Sequence, residues 1–396
     1  MSERGLDVVL FGATGFTGGL VAEYLAKVAA QQPLHWALAG RNREKLEAVR
    51  AGLALPTGSN GKPELIVADA SDAPALAAMA QRTRVVITTV GPYMKHGEPL
   101  VRACAELGSD YVDLTGEPEF VDAMSERYHA LAARNRVKIV NACGFDSIPH
   151  DLGAYYALQA LRAKLTPEQR ESAAVTIEAF VRSRGTFSGG TLQSALGIMA
   201  NVPARARKRR NAPKPSGPRQ AGQLPLRISY RSDVGMWAVP MPTIDPEVVV
   251  RSAELLAEYG PDFRYGHYIG LKHGLQVAGV VAGVGTVFAL AQLAPARALL
   301  RKIKDPGEGP DAETRAKSYF RVLFVARAAG HEVRCEVRGG DPGYGETSKM
   351  LAESALCLAF DRARLPQHYG VVPTAAALGN PLIERLQAAG ISFREL

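Results

Sequence analysis

Residues Asp7 to Phe11 (DVVLF) form a short apolar run of the kind that makes a buried parallel strand. The run leads directly into Gly12-Ala13-Thr14-Gly15-Phe16-Thr17-Gly18, and Leu20 to Ala30 then reads as a helix. Few folds use a strand, a glycine turn and a helix in that order. The three glycines are expected to do different work: Gly12 permits the tight turn, Gly15 lets backbone approach a ligand, and Gly18 allows the helix to pack closely on the strand. A helix N-terminus carries unpaired N–H groups and the positive end of the helix dipole. Gly12, Thr14, Gly15, Phe16, Thr17 and Gly18 are therefore expected to cradle the pyrophosphate of a dinucleotide. The spacing is GxxGxxG rather than GxGxxG, a variant found in many NADP-preferring reductases.

A second strand, His35 to Ala39, ends in Gly40-Arg41-Asn42. Sites for NAD carry a carboxylate here to accept from the ribose hydroxyls, but the next one in this chain is Glu44. Arg41, with Asn42 beside it, instead offers a guanidinium suited to a 2′-phosphate, which favours NADP(H) over NAD(H). Further strands are expected at Leu65–Ala68, Val85–Thr89, Tyr111–Leu114 and Val137–Ala142. The first of these ends at Asp69, which suits the adenine amino edge or the cap of the next helix. Gly91 and Pro92 follow the second, at the nicotinamide half. Helical stretches such as Pro99–Leu107 and Glu119–Ala133 separate the strands, so residues 1–150 read as a Rossmann-type, doubly wound parallel sheet in an α/β fold. Ligands of such sheets bind beyond the carboxyl ends of the strands.

The segments GATGFTG, ALAGRN, TTVGPY, DYVDLTGE and CGFDSIPHDLG together resemble the saccharopine dehydrogenase-like oxidoreductases. The likeness is greatest to the branch of trans-acting enoyl reductases, which RGGDPGYGETSKM (Arg338 to Met350) and the following ESALCL also resemble. The resemblance covers nearly the whole chain. It implies an NAD(P)H-dependent oxidoreductase that reduces a carbon–carbon double bond of a lipid or polyketide intermediate. The implied partners are a lipid-like or carrier-bound acyl substrate and a polyketide synthase or acyl carrier protein. Two alternatives stay open. One is a saccharopine-type reaction on an amino-acid imine. The other is a non-catalytic, membrane-associated scaffold that only binds dinucleotide.

After Pro149 the strand–helix alternation stops. Ala174–Ser183, Tyr319–Ala328 and Glu332–Val337 alternate in the manner of half-exposed strands, so residues 151–340 are expected to form a substrate or association domain with a mixed or antiparallel sheet. Residues 341–396 read as a return segment, whose helix near 347–360 rejoins the first domain as the resemblance implies. Arg184 to Thr191 is a polar glycine loop suited either to a substrate carbonyl or to a plain turn. From Gly274 to Ala296 no residue is charged, a length that matches a bilayer, but Gln276, Thr286 and Gln292 dilute it and Gly279, Gly283 and Gly285 lower its helicity. With Lys272, Arg297, Arg301, Lys302 and Lys304 on its flanks, the segment reads as a lipid-surface element or as a buried or homodimer-interface helix, in preference to a span.

The net charge of +8 resides mainly in one stretch, Arg205 to Arg219, with no acid between Glu178 and Asp233. Its Pro and Gly content marks a loop, solvated or set against an anionic membrane surface or acidic carrier. No aromatic platform accompanies it, so nucleic acid is not an expected partner. Four cysteines without a CxxC, together with a polar N-terminus, lead to the expectation of a cytoplasmic protein, peripheral at the inner membrane or lipid surfaces if it is attached at all. The eight histidines show no HxxxH or HExxH, and no metal site is expected. For the chemistry, Tyr93 is the first candidate to stabilise charge on a substrate oxygen, with Asp146 and Ser147 as further catalytic candidates and His96 as a proton relay.

Overall fold

In the computed structural model, which describes residues 4–55, 61–185, 219–241, 243–292 and 310–396, the chain divides into two units. The first draws on residues 4–148 and on Gly343–Gly390. Its strands are β1 (Leu6–Phe11), β2 (Trp36–Gly40), β3 (Glu64–Val67), β4 (Thr83–Thr88), β5 (Asp110–Asp113) and β6 (Lys138–Val140), with a return strand at Gly370–Val371. All pair in parallel, in the order return strand, β6, β5, β4, β1, β2, β3. Val8, Val9, Leu10, Val85, Val86 and Ile87 are fully buried, because helices cover both faces of such a sheet. The expected doubly wound sheet is present. Its seventh strand was not foreseen, since two residues carry no periodicity.

Local chemistry starts and stops the helices. The Asn42 side chain accepts from Lys45 N at 2.8 Å to cap helix Arg43–Gly52, and Asp72 caps Ala73–Arg82 through Ala75 N at 3.1 Å. Gly108, at φ +82°, closes helix Glu98–Leu107 in the left-handed conformation. Helix Gly345–Phe360 lies on β1, β4 and β5 beside helix Phe16–Ala29. Eleven of its sixteen residues are buried, which explains the run ESALCL. Buried Glu353 accepts from Tyr24 Oη at 2.6 Å and pairs with Arg385 at 3.0 Å, tying three helices of this unit together. Breaking such a pair would leave a stranded buried charge.

The second unit draws on Pro149 onward, on residues up to Pro342, and on Ile391–Leu396. Its strands are β7 (Val175–Arg184), β8 (Gln220–Gln223), β9 (Ser229–Arg231), β10 (Met236–Pro240), β11 (Asp262–Leu271), β12 (Tyr319–Ala328) and β13 (His331–Gly339), plus a last strand at Ser392–Glu395. The order is last strand, β13, β12, β7, β11, β10, β9, with β8 beside β11. β11 pairs in parallel with β7 and β8 while the other pairs are antiparallel, so the sheet is mixed, as the alternating patterns suggest. The last six residues thus belong to this sheet and not to the first unit with the rest of the C-terminal segment. Residues 186–191 of the glycine loop and 205–218 of the basic stretch lie outside the described residues. Arg219 donates to the carbonyls of Ala253 and Leu256 at 2.6 and 2.7 Å.

Within the apolar segment, Gly274–Gln292 is a helix, and residues 293–296 lie outside the described part. None of its described side chains is buried: Leu275 is 88% exposed, Val281 43%, Val284 41% and Leu290 36%. A helix apolar on every face normally lies inside a core or a membrane. Among the described residues, no helix is long and apolar enough to cross a membrane.

Candidate cofactor and active site

The turn after β1 assigns a separate constraint to each glycine. Gly12 has φ +94°, and a Cβ there would lie 2.6 Å from Thr89 Oγ1. The Thr89 hydroxyl donates to Gly12 O at 3.1 Å, closing the crevice between β1 and β4, where chain direction across the sheet reverses. A Cβ on Gly18 would lie 2.1 Å from Gly12 O, so only glycine lets the helix sit this close to the strand. Gly15 differs: it is exposed, and a Cβ there would meet nothing nearer than Gly12 O at 3.5 Å. The protein leaves that space open. Gly15 is also the N-cap of helix Phe16–Ala29, with no side-chain cap and no acid in the first turn. Phe16, Thr17 and Gly18 begin the helix, and their N–H groups stand at the positive end of its dipole. An uncapped N-terminus under an open glycine fits a pyrophosphate.

At the end of β2, a Cβ on Gly40 would sit 4.0 Å from Thr14 Oγ1, so the two loops adjoin. Arg41 is exposed and makes no ion pair among the described residues, leaving its guanidinium available to an anion. Asn42 is committed to its capping bond. Asp69 does not cap the following helix, because Asp72 does. It accepts from Ser71 N at 2.9 Å and Ser71 Oγ at 2.6 Å, and these bonds hold its carboxyl below the usual range, with Arg41 and His96 adding to the effect.

The loops after β4, β5 and β6 are braced by buried polar groups that the motifs alone did not single out. Gly91 and Pro92 are joined by a cis peptide. The next residue, Tyr93, is 7% exposed; its hydroxyl donates to Thr88 O at 3.1 Å and accepts from Leu114 N at 3.3 Å. Burial, and then the nearby Asp113 charge, raises this phenol far above its ordinary range. It braces two loops, and the hydroxyl expected to stabilise charge on a substrate oxygen is engaged in those two bonds. Glu117 accepts from Tyr93 N and Met94 N, both at 2.9 Å. Asp113, fully buried, accepts from Tyr111 Oη, Thr115 N, Asn141 Nδ2 and Ala142 N. Desolvation pushes it up to about 6 despite those bonds. DYVDLTGE contains both Asp113 and Glu117, but only the three-dimensional bonds identify them as the braces of these loops.

Asp146 and Ser147 close the β6 loop. Asp146 has no hydrogen bond or ion pair among the described residues and does not cap the helix starting at Ile148, whose N–H bonds Gly144 O at 2.9 Å. Burial alone raises its carboxyl above the usual range, favouring the form that carries a proton to give. Ser147 Oγ is buried without a partner, as is Asn141 Oδ1. His96, on the short helix Tyr93–His96, is half-buried.

Residues 8–142 match the saccharopine dehydrogenase NADP binding domain. A trans-acting enoyl reductase of Mycobacterium tuberculosis is 35% identical over 98% of this chain and 97% of its own length. The chain belongs to the trans-acting enoyl reductase family. A Mycobacterium ulcerans trans-acting enoyl reductase is 34% identical over 98% of this chain and 97% of its own. A further M. tuberculosis protein, given the same name provisionally, is 39% identical over 99% and 98%. The apo saccharopine dehydrogenase (L-Glu forming) of Saccharomyces cerevisiae shares the fold, with a TM-score of 0.55 at 11% identity over 99% of this chain and 100% of its own. This member of the trans-acting enoyl reductase family is an NAD(P)H-dependent oxidoreductase with an NADP-binding domain. The open glycine, the bare helix end and the unpaired Arg41 fit that cofactor.

Proposed function

We propose that the protein reduces the carbon–carbon double bond of an acyl thioester held by a separate carrier, such as that of a polyketide synthase. The reading is carried by one juxtaposition within the first unit: a bare helix N-terminus under Gly15, on the same sheet end as an unpartnered, proton-favouring Asp146. The names of the relatives supply the reaction class, since "trans-acting" describes reduction of a substrate that another protein holds. Bound NADPH would supply the hydride. The first-turn N–H groups from Phe16 onward would hold the pyrophosphate, and Arg41 would pair with the 2′-phosphate. Hydride addition at the β-carbon of the enoyl group moves an electron pair onto the thioester carbonyl. Asp146 then gives its proton to the α-carbon and is reprotonated from water. Tyr93, Asp113 and Glu117 keep the loops in place. NADPH consumption with an enoyl-pantetheine thioester tests the reaction, and product that keeps its double bond would refute it.

The second unit supports a location at lipid surfaces. Helix Gly274–Gln292 is about 28 Å long at 1.5 Å per residue, uncharged, and exposed along its length. Lysine and arginine flank it in sequence. Apolar burial together with attraction to anionic headgroups is a two-signal route to peripheral attachment, and an apolar acyl substrate makes that location useful.

A further inference from the structure

Three residues far apart in sequence meet in the core of the second unit. His150 lies on helix Ile148–Ala163, Asp245 begins helix Asp245–Leu255, and His267 lies on β11. They are 2%, 3% and 0% exposed. His150 Nε2 is 3.3 Å from Asp245 Oδ1, and His267 Nε2 is 3.6 Å from Asp245 Oδ2. The imidazoles meet edge to face with centroids 4.9 Å apart, and one potential ligand atom from each of the three residues falls within 4.8 Å of the others.

Two bland readings are available, and each meets an obstacle. As ion pairs, the contacts would need protonated histidines. His267 and His150 are buried and meet ring to ring, so each would have to carry its charge in an apolar core beside the other. As a hydrogen-bonded network, the cluster would need His267 Nε2 satisfied, yet that atom is fully buried, points at the carboxylate and has no hydrogen-bond partner. A second carboxylate, Asp151, is fully buried nearby and accepts from Ser252 Oγ at 2.9 Å.

We infer that His150, Asp245 and His267 form a structural site for a divalent first-row transition-metal ion, zinc by preference, in the core of the second unit. Zinc bonds of about 2.0–2.1 Å in tetrahedral geometry set ligand atoms about 3.4 Å apart. His150 Nε2 stands 3.3 Å from Asp245 Oδ1 and His267 Nε2 3.6 Å from the other carboxylate oxygen, so with one atom from each residue within 4.8 Å of the others the three close on an ion by a small shift of side chains. Imidazole and carboxylate ligands suit zinc and its neighbours better than calcium or magnesium. His267 Nδ1 lies 3.2 Å from Tyr265 Oη. With Nδ1–H donating to that hydroxyl, the Nε2 lone pair faces the ion, the outer-shell arrangement expected of a metal-bound histidine. A fourth position is left to water. The ligands come from two helices and a strand, so the ion would pin both helices to β11. Its full burial marks the site as structural and separate from the reductase chemistry.

The test uses the full-length chain without a histidine tag, stripped with chelator and titrated with Zn²⁺ and with Co²⁺. The expected result is one tightly held equivalent after desalting, a rise in melting temperature with either ion, and the visible absorption of four-coordinate Co²⁺. Asp245→Asn and His267→Gln should lose the absorption while an NADPH-induced thermal shift, reporting the first unit, persists. The inference is overturned if wild-type protein that responds to NADPH gives neither the absorption nor a stoichiometric metal content, or if the absorption survives in both variants. Should the variants not fold, the wild-type titration decides by itself.

Discussion

Gly15→Val and Gly18→Ala lie three residues apart in one turn and should fail in opposite ways. At Gly18 the added Cβ would come 2.1 Å from Gly12 O, a backbone atom that cannot swing aside, so helix and strand must part by roughly 1 Å. Overpacking of that kind costs about 1–3 kcal/mol, or roughly 3–10 °C of melting temperature in a unit of this size. At Gly15 the backbone has φ −81° and ψ 164°, open to any residue, and the nearest atom to a new Cβ is 3.5 Å away. Valine should cost no more than about 1 kcal/mol there through a poorer N-cap. Its side chain fills the space above the first-turn N–H groups, and losing two hydrogen bonds to a charged phosphate, at about 1.5–3 kcal/mol each, weakens NADPH binding by at least ~100-fold. Thermal melts with and without NADPH, backed by fluorescence titration, separate the two defects. A Gly15→Val protein that binds like its parent, or a Gly18→Ala protein that melts like it, would refute the roles assigned to these glycines.

Further outcomes follow from the same geometry. Arg41→Asp should cost NADPH about 2–3 kcal/mol while sparing NADH, measured by parallel titrations; equal loss for both would remove the 2′-phosphate assignment. Asp146→Asn should lower kcat/KM by ~10²–10⁴-fold with NADPH affinity unchanged, and an unaffected rate would clear Asp146 of proton transfer. Asp113, raised to about 6, favours the protonated folded state, so its contribution grows as pH falls through 6 and is lost as pH rises. Parent stability relative to Asp113→Asn should therefore increase by about 2 kcal/mol between about pH 7.5 and 4.5 in denaturant melts, and a pH-independent gap would contradict the shift. Vesicles containing anionic lipid should sediment the parent at low salt but not a folded Val281→Glu/Val284→Glu variant; a parent that stays in the supernatant, or that forms dimers lost in the variant, would turn the exposed helix into a protein interface.

Much of the first unit was legible because its signals are local. Each strand of the parallel sheet is a contiguous apolar run, and the glycine turn carries its geometry in its own spacing. The two-residue strand Gly370–Val371 lacked any such signal, since its place depends on pairing with β6. In the second unit the long strands alternate visibly, whereas β8, β9 and β10 are short and polar or mixed, so pairing and not pattern defines them. Tyr93 had the right position in sequence, but only its bonds to Thr88 O and Leu114 N reveal a phenol turned inward. Asp146 ranked behind it because a carboxylate before a helix usually caps that helix, and the absence of the capping bond is visible only in three dimensions. His150, Asp245 and His267 are too widely spaced for any local metal motif.

The central claim is best tested by one stereochemical measurement. The purified protein is given NADPH deuterated at the transferable C4 position, a crotonyl thioester of pantetheine or carrier protein, and, in a parallel reaction, deuterated water. Enoyl reduction predicts deuterium from the cofactor at the β-carbon and from solvent at the α-carbon of a saturated product, with NADH much less effective. Cofactor that binds with no deuterium reaching carbon, while carrier-bound enoyl substrate is present in excess, would contradict the account.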